Sequence, residues 1–182
     1  MDKNDERYIK QYVIHILAVP ALGPDAVDLP LDKCAAIICT IRTNSFIDNA
    51  FGDNKLILNF LDVEDETMDG AFNRIHARKI INFINNLPDD VSDLYICCSK
   101  GGSRSPGCAA AILRMSGRSD MDVWLNPYYT PNTLVYKTLC REYGIPVSDE
   151  MVKRYCEMND FAYKEAKVKG NAGKYERWQI LF

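Results

Sequence analysis

Short runs of β-branched and other apolar residues recur along the chain and predict β-strands. Three of these runs are residues 13–19, 35–41 and 56–61. A fourth, residues 94–97, follows the polar stretch 89–93 and has the compact apolar composition of a strand that is buried on both faces. The pattern therefore predicts a sheet built from these strands.

Amphipathic stretches lie between and after the strands and predict helices. The first covers residues 71–87 and ends before Pro88. Phe72, Ile80 and Ile84 fall near one of its faces. Further helices are predicted at residues 105–115, 131–144 and 149–167. Because strands alternate with helices, we expect an α/β fold in which helices flank a central, mostly parallel sheet.

Length, charge and the lack of long apolar runs predict a single domain in the cytoplasm. The 182 residues suit a single domain, with a core at about 13–145 and a C-terminal helix and tail at about 148–182. The net charge of −3 lacks the basic excess of a general nucleic-acid binder. No apolar run approaches the roughly 20 residues that span a bilayer, and the charged N-terminus does not resemble a signal peptide. The sequence leaves the oligomeric state open.

The cysteines and histidines do not form a pattern typical of a disulfide framework or a metal site. The cysteines are odd in number and include no Cys-x-x-Cys pair, which favours reduced thiols. His15 falls in an apolar strand and is expected in the core, whereas His76 has charged neighbours and is expected at the surface. Seven cysteines occur, at positions 34, 39, 97, 98, 108, 140 and 156.

One loop, residues 98–106, carries most of the candidate chemistry. It joins a predicted strand to a predicted helix, the position at which parallel α/β sheets place their reactive sites. Gly101 and Gly102 allow the loop to curl so that its backbone N–H groups point inward. Ser105 is expected to cap the following helix and Pro106 suits its first turn. The loop is therefore expected to form a binding site, or socket, for a tetrahedral dianion.

Two residues of this loop have the chemistry of a nucleophile and an anion clamp. The field that attracts phosphate also favours a thiolate at Cys98, the form that attacks phosphorus. The guanidinium of Arg104 can hold two phosphate oxygens, and Ser105 can donate a hydrogen bond to the sulfur. Cys108 and Arg114 have the same spacing but lie inside a predicted helix. The predicted phosphate-binding residues are Ser99, Lys100, Gly101, Gly102, Ser103 and Arg104.

Residues 98–105 resemble the Cys-x-x-Gly-x-x-Arg-Ser signature of protein tyrosine and dual-specificity phosphatases. Residues 126–132 resemble the Pro-Asn segment that follows the signature helix, especially in a set of compact bacterial predicted tyrosine phosphatases. Residues 36–38, within one predicted strand, and the strand end 60–62 also fit that pattern. The resemblance covers residues 13–145 and is strongest at the signature loop.

The resemblance implies a cysteine-dependent phosphatase of dual-specificity-like architecture that needs no metal or organic cofactor. Such an enzyme hydrolyses phosphate monoesters, phosphotyrosine or related groups, through a phosphocysteine intermediate. Its substrate is a phosphorylated protein or a small phosphomonoester. Lys100 suits a polyanionic substrate such as a phosphoinositide or a nucleotide, or is a solvated rim residue.

The resemblance also implies a general acid on a separate loop, and residues 62–69 supply several carboxylates. In these phosphatases the acid follows the strand that comes before the helix preceding the signature strand. Asp62 matches that position and Asp65 is the alternative. The remaining acids are expected in a solvated turn and beside a helix N-terminus. Asn132 matches an Asn that braces the active-site end.

Position 97 departs from the family pattern, because the family usually has a His there and this chain has Cys97. That His helps to set the pKa of the nucleophile, so the reactivity of Cys98 stays open. Cys97 is interpreted as a strand residue. The alternative is a reversible disulfide with another thiol that protects Cys98 from over-oxidation.

Three other functions stay open from the sequence. The first is a phosphate-binding module that recognises phosphorylated partners without cleaving them. The second is a sulfur-transfer or arsenate-reducing enzyme, since these also place a Cys on an anion-binding loop. The third is a structural or interaction protein in which the tail segment Trp178 to Phe182 is the working part.

Overall fold

The protein is an α/β protein whose centre is a four-stranded, all-parallel sheet with the strand order β1-β4-β2-β3. The structure, a computed structural model, describes residues 9–27 and 30–168. The strands are β1 (Val13–Ala18), β2 (Cys34–Ile38), β3 (Lys55–Ile57) and β4 (Asp93–Cys98). Because β4 pairs with both β1 and β2, its last residue, Cys98, lies at the middle of the edge formed by the carboxyl ends of the strands.

Helices flank this sheet and carry the remaining core residues. The α-helices are α1 (Ser45–Asn49), α2 (Arg74–Asn85), α3 (Arg104–Met115), α4 (Met121–Trp124), α5 (Thr133–Tyr143) and α6 (Asp149–Val168). Three 3₁₀ turns lie at Val19–Ala21, Pro24–Ala26 and Leu31–Lys33. Asn73 caps α2 and Asn132 caps α5 with side-chain hydrogen bonds, and Gly144 ends α5 in the left-handed conformation.

Alternation along the strands divides the core between the two faces of the sheet. Ile96 and Cys98 belong to the larger cluster, which includes α3 and α5. Tyr95 and Cys97 belong to a second cluster that contains Phe51. Since successive side chains of a strand point to opposite faces, Cys97 and Cys98 face away from each other.

The sheet was predicted to be mostly parallel, and all four of its described strands are parallel. Two of these strands are shorter than predicted. The run 35–41 leaves the sheet after Ile38, and the run 56–61 leaves it after Ile57. β3 lies at the sheet edge with β2 as its partner, and the carbonyl of Phe60 accepts a hydrogen bond from Arg104 instead of from a strand. Asp62 therefore lies in a loop and does not end a strand.

Helix boundaries also differ from the predicted ones where a capping residue decides them. The helix predicted at 71–87 begins at Arg74, because the side chain of Asn73 accepts hydrogen bonds from the first turn. α1 and α4 were not predicted, because five and four residues are too few to show a helical period. Among the described residues, no helix is long and apolar enough to cross a bilayer. The tail segment Trp178 to Phe182 lies outside the described residues.

Candidate active site

The loop between β4 and α3 wraps around the sulfur of Cys98. Gly101 has φ +70°, and a Cβ atom there would lie 2.7 Å from the backbone nitrogen of Ala18. Glycine is therefore required by both the backbone conformation and the space against β1. Gly102 uses its carbonyl to accept a hydrogen bond from the N–H of Thr130 at 2.8 Å, which ties the loop to the segment before α5.

Cys98 is a buried thiol in contact with hydrogen-bond donors. Burial disfavours its thiolate, but the Ser105 hydroxyl and the backbone N–H groups of Ser105, Lys100 and Ser103 favour it. The donors prevail and hold the pKa of Cys98 below the ordinary value of a thiol. The Ser105 hydroxyl donates to the sulfur at 3.1 Å.

The predicted capping role of Ser105 is wrong. The N-cap residue of α3 is Ser103, and its side chain makes no capping hydrogen bond. Ser105 lies inside the first turn, where its hydroxyl is within reach of the sulfur because the helix begins directly above the end of β4. The Ser105 hydroxyl thus binds the sulfur of Cys98 and does not cap the helix.

Arg104 is held over the loop by groups on both sides of its guanidinium. One terminal nitrogen donates to the carbonyl of Phe60 at 2.9 Å and the other to the hydroxyl of Ser99 at 3.0 Å. The guanidinium carbon lies 5.9 Å from the centre of the Phe60 ring. These contacts leave the side chain only 11% exposed and fix the plane of the fork at the loop.

Asp62 lies next to both the loop and Arg104. Its Oδ1 accepts hydrogen bonds from the Ser103 hydroxyl at 2.7 Å and from Asn132 Nδ2 at 3.0 Å. Its Oδ2 lies 3.7 Å from Nε of Arg104, and the carboxylate side chain is 41% exposed. Asp62 is thus fixed at the rim of the loop while its carboxylate stays accessible to solvent.

Asp65, the alternative acid, is engaged in its own turn. Its carboxylate accepts hydrogen bonds from the hydroxyl and the backbone N–H of Thr67, at 2.6 and 2.9 Å. These bonds lower the pKa of Asp65 in a fully exposed position. Its described partners are therefore not those of the Cys98 loop.

Asn132 joins three parts of the site. Its Nδ2 donates to Asp62 and, at 3.2 Å, to the carbonyl of Val63, while its Oδ1 caps α5. Its backbone N–H donates to the carbonyl of Ser103 at 3.1 Å. A Cβ on Gly107 would lie 2.6 Å from the Asn132 carbonyl oxygen, so α3 packs directly against this residue.

Two residues beside the site were not predicted individually from the sequence. Thr40 is buried after the end of β2, and its hydroxyl oxygen accepts from Ser99 at 3.3 Å. Glu64 accepts a hydrogen bond from the backbone N–H of Thr133 at 2.8 Å. Neither residue belongs to a motif, because both meet the site only through the pairing of strands and the docking of a loop. Lys100 is exposed at the rim.

The remaining thiols are spread over the fold, in its strands and helices or directly after a strand. All seven cysteines are free. Cys97 is fully buried on the opposite face from Cys98, and burial raises its pKa. Cys39 and Cys108 hydrogen-bond to each other in the same cluster as Cys98, and this bond together with burial raises the pKa of Cys39. Cys97 is a strand residue, as the sequence indicated, because it lies in β4 with its side chain on the opposite face from Cys98.

The two histidines have structural partners. His15 is buried, as predicted, and its Nε2 lies 2.7 Å from the carboxylate of Asp93. His76 is partly exposed on α2, and its ring stacks on Phe72. Its Nδ1 accepts from the backbone N–H of Asn73 and completes the cap of α2. Within the described ranges, no cluster of three His, Cys, Asp or Glu side chains could hold a metal ion.

The fold and the site define a parallel α/β protein that carries an amide-lined cysteine-arginine loop at the carboxyl end of its central strand. No protein-family model matches the chain, and no curated protein matches it significantly.

Proposed function

We propose that this protein is a cysteine-dependent phosphatase of dual-specificity-like architecture, which hydrolyses phosphate monoesters such as phosphotyrosine. The observation that carries the proposal is the convergence of three groups. A thiol of lowered pKa, Cys98, lies under a ring of loop amides, with Arg104 and Asp62 at the rim. This combination supplies a nucleophile, an anion clamp and a proton donor.

In the first step, the thiolate of Cys98 attacks phosphorus and the bond from phosphorus to the leaving oxygen breaks. Asp62 transfers a proton to that oxygen, so the leaving group departs as an alcohol or phenol. Arg104 donates its remaining N–H groups to the phosphoryl oxygens and stabilises their charge. The products of this step are phosphocysteine, the Asp62 carboxylate and the free alcohol.

In the second step, water attacks the phosphocysteine and gives a proton to the Asp62 carboxylate. The bond from sulfur to phosphorus breaks, and Cys98 leaves as a thiolate. The hydrogen bond from the Ser105 hydroxyl, at 3.1 Å, stabilises the charge on the departing sulfur. Inorganic phosphate leaves and the protonated Asp62 is ready for the next cycle.

The contacts of Asp62 indicate which of its oxygens carries the proton. Oδ1 accepts from both Ser103 and Asn132, so its lone pairs are occupied. Oδ2 has the Arg104 Nε at 3.7 Å as its described neighbour, which is too long for a hydrogen bond. The proton therefore belongs on Oδ2, which is free to approach a leaving group once Arg104 engages the phosphate.

One observation favours a second candidate, a module that binds phosphorylated partners without turnover. Cys97 stands where the resembled family usually has a His, and the buried Cys97 side chain has no charge to offer the loop. The socket itself depends on loop amides and Arg104, so phosphate binding does not require that His.

The experiment is the hydrolysis of a generic aryl phosphate by the wild type and by Cys98→Ser, in EDTA with fresh reductant. We expect metal-independent turnover in the wild type and none in the variant, with phosphate binding retained by both. Equal turnover in the two proteins would exclude Cys98 as nucleophile. Tight vanadate or phosphate binding by both, with turnover by neither, would select the binding module.

A further inference from the structure

We propose that Glu64 is a positioning residue, which holds the loop of Asp62 against the N-terminus of α5 and thereby sets the reach of the general acid. The inference rests on the proposed function of Asp62. Glu64 contacts neither the Cys98 loop nor Arg104 among its described contacts; its role is carried by the hydrogen bond to Thr133.

Three consecutive residues of the loop that carries Asp62 (residues 58–73, the acid loop) bind the N-cap residue Asn132 and the first residue of α5, Thr133. Asp62 accepts from Asn132 Nδ2 at 3.0 Å, and the carbonyl of Val63 accepts from the same nitrogen at 3.2 Å. Glu64 accepts from the backbone N–H of Thr133 at 2.8 Å. The first two bonds share one amide group, so the Glu64 bond is the independent anchor of this contact.

The partner of Glu64 is a helix N-terminus, which explains why a carboxylate occupies this position. The first N–H groups of a helix have no partner within the helix and concentrate positive potential. Asn132 satisfies the N–H of Val135 with its own side chain. Glu64 satisfies the N–H of Thr133, so the cap of α5 is shared between two distant segments of the chain.

The base of the same loop is closed by a second bond, from the N–H of Leu61 to the carbonyl of Gly70 at 2.7 Å. Asp62 therefore lies between two fixed points of the loop, the hydrogen bond from Leu61 to Gly70 and the hydrogen bond from Thr133 to Glu64. Proton transfer requires a correctly placed heavy atom, and a displacement of about 1 Å can cost a large factor in rate. Loss of the Glu64 anchor leaves this flank of the loop held by the shared amide of Asn132 and by the hydrogen bond from the Ser103 hydroxyl to Asp62.

The test compares Glu64→Ala with Glu64→Gln on two substrates, an alkyl phosphate and an activated aryl phosphate. The alkyl leaving group needs a proton and the activated one does not, so we expect Glu64→Ala to lower kcat for the alkyl phosphate about three- to tenfold and to change the activated substrate by less than about twofold. Glu64→Gln keeps an oxygen acceptor for Thr133 and should retain most of the activity. Glu66→Ala is the matched control, because Glu66 makes no hydrogen bond or ion pair within the described part of the chain and lies two positions away.

A double variant separates positioning from a general structural defect. If Glu64 acts through Asp62, then Glu64→Ala should have no further effect on the alkyl phosphate when Asp62→Asn is already present. Additive losses, or an equal loss on both substrates, would overturn the positioning role while leaving the phosphatase proposal intact.

Hydrogen exchange gives a readout that does not depend on activity. The Thr133 amide should be protected in the wild type and in Glu64→Gln, and should exchange faster in Glu64→Ala. Fast exchange of this amide in the wild type would overturn the inference even in an active enzyme. Protection of the amide in a protein without turnover would instead show that the anchor exists and that the phosphatase proposal is what failed.

Discussion

The hydroxyl of Ser105 lies 3.1 Å from the sulfur of Cys98 and donates a hydrogen bond to it. The two residues are brought together by the direct passage from β4 through a tight loop into α3. Among the groups that lower the pKa of Cys98, this hydroxyl has the largest effect, ahead of the backbone N–H groups of Ser105, Lys100 and Ser103. The contact thus links the start of α3 to the pKa of Cys98.

This contact predicts the pH dependence of alkylation at Cys98. Burial opposes the thiolate, yet the hydrogen bonds lower the pKa of Cys98 below that of an ordinary thiol. Iodoacetamide should therefore react with the wild type at a lower pH than with an ordinary thiol, and the rate should fall as pH drops through this lowered pKa. Ser105→Ala should shift the midpoint of the rate profile to higher pH.

Cys98→Ser is the control for alkylation of the other thiols. Those thiols should react slowly at neutral pH, because burial raises the pKa of Cys34 to about 11 and that of Cys140 to about 12. Rapid labelling of Cys98→Ser at neutral pH would mean that another thiol reports the profile. An unshifted midpoint in Ser105→Ala would contradict the role given to the hydroxyl.

The second prediction concerns the identity of the acid. Asp62→Asn should slow alkyl phosphates about 10²-fold or more and activated aryl phosphates much less, because an activated leaving group departs without a proton. Asp65→Asn should change both substrates little, since the Asp65 carboxylate bonds to Thr67 in its own turn. The check is kcat across a series of leaving groups. The reverse pattern would transfer the acid role to Asp65.

The third prediction tests the fork of Arg104. Arg104→Lys keeps the charge but cannot hold Phe60, Ser99 and two phosphate oxygens in one plane. We expect kcat/KM to fall about a hundredfold and vanadate inhibition to weaken in parallel. Arg154→Lys is the matched control, because Arg154 pairs with Glu150 on the exposed face of α6. Unchanged vanadate inhibition in Arg104→Lys would exclude the clamp.

The sequence predicts those parts of the fold that depend on local pattern. The four strands, the long helices and the reactive loop all follow from runs of apolar residues and from the glycines between Cys98 and Arg104. A cap decides where α2 begins, and the pattern missed it because Asn73 is one polar residue among several. The place of Asp62 beside Arg104 depends on a docked loop, and no periodicity describes such a loop.

Contacts between distant segments explain what the sequence missed in the site. Thr40 meets Ser99 because β2 and β4 are neighbours, and Glu64 meets Thr133 because the acid loop packs on α5. These relationships arise from pairing and packing, so residue types alone do not indicate them.

The last prediction separates two reasons why residue 101 is a glycine: its positive φ and its close approach to β1. Gly101 has φ +70° and its missing Cβ would lie 2.7 Å from the Ala18 nitrogen, whereas Gly144 has φ +90° and open space around the same position. Both substitutions by Ala impose the cost of a left-handed backbone, about 1–2 kcal/mol. Only Gly101→Ala adds a collision with β1.

We therefore expect Gly144→Ala to lower the free energy of unfolding by about 1–2 kcal/mol and to leave phosphate binding unchanged. Gly101→Ala should lose more stability, because backbone atoms of β1 cannot move aside as a flexible side chain can. It should also lose phosphate binding, because the loop amides must shift to relieve the collision. Denaturant unfolding and phosphate titration measure the two effects. Normal phosphate binding in a folded Gly101→Ala protein would mean that the curl of the loop does not build the anion socket.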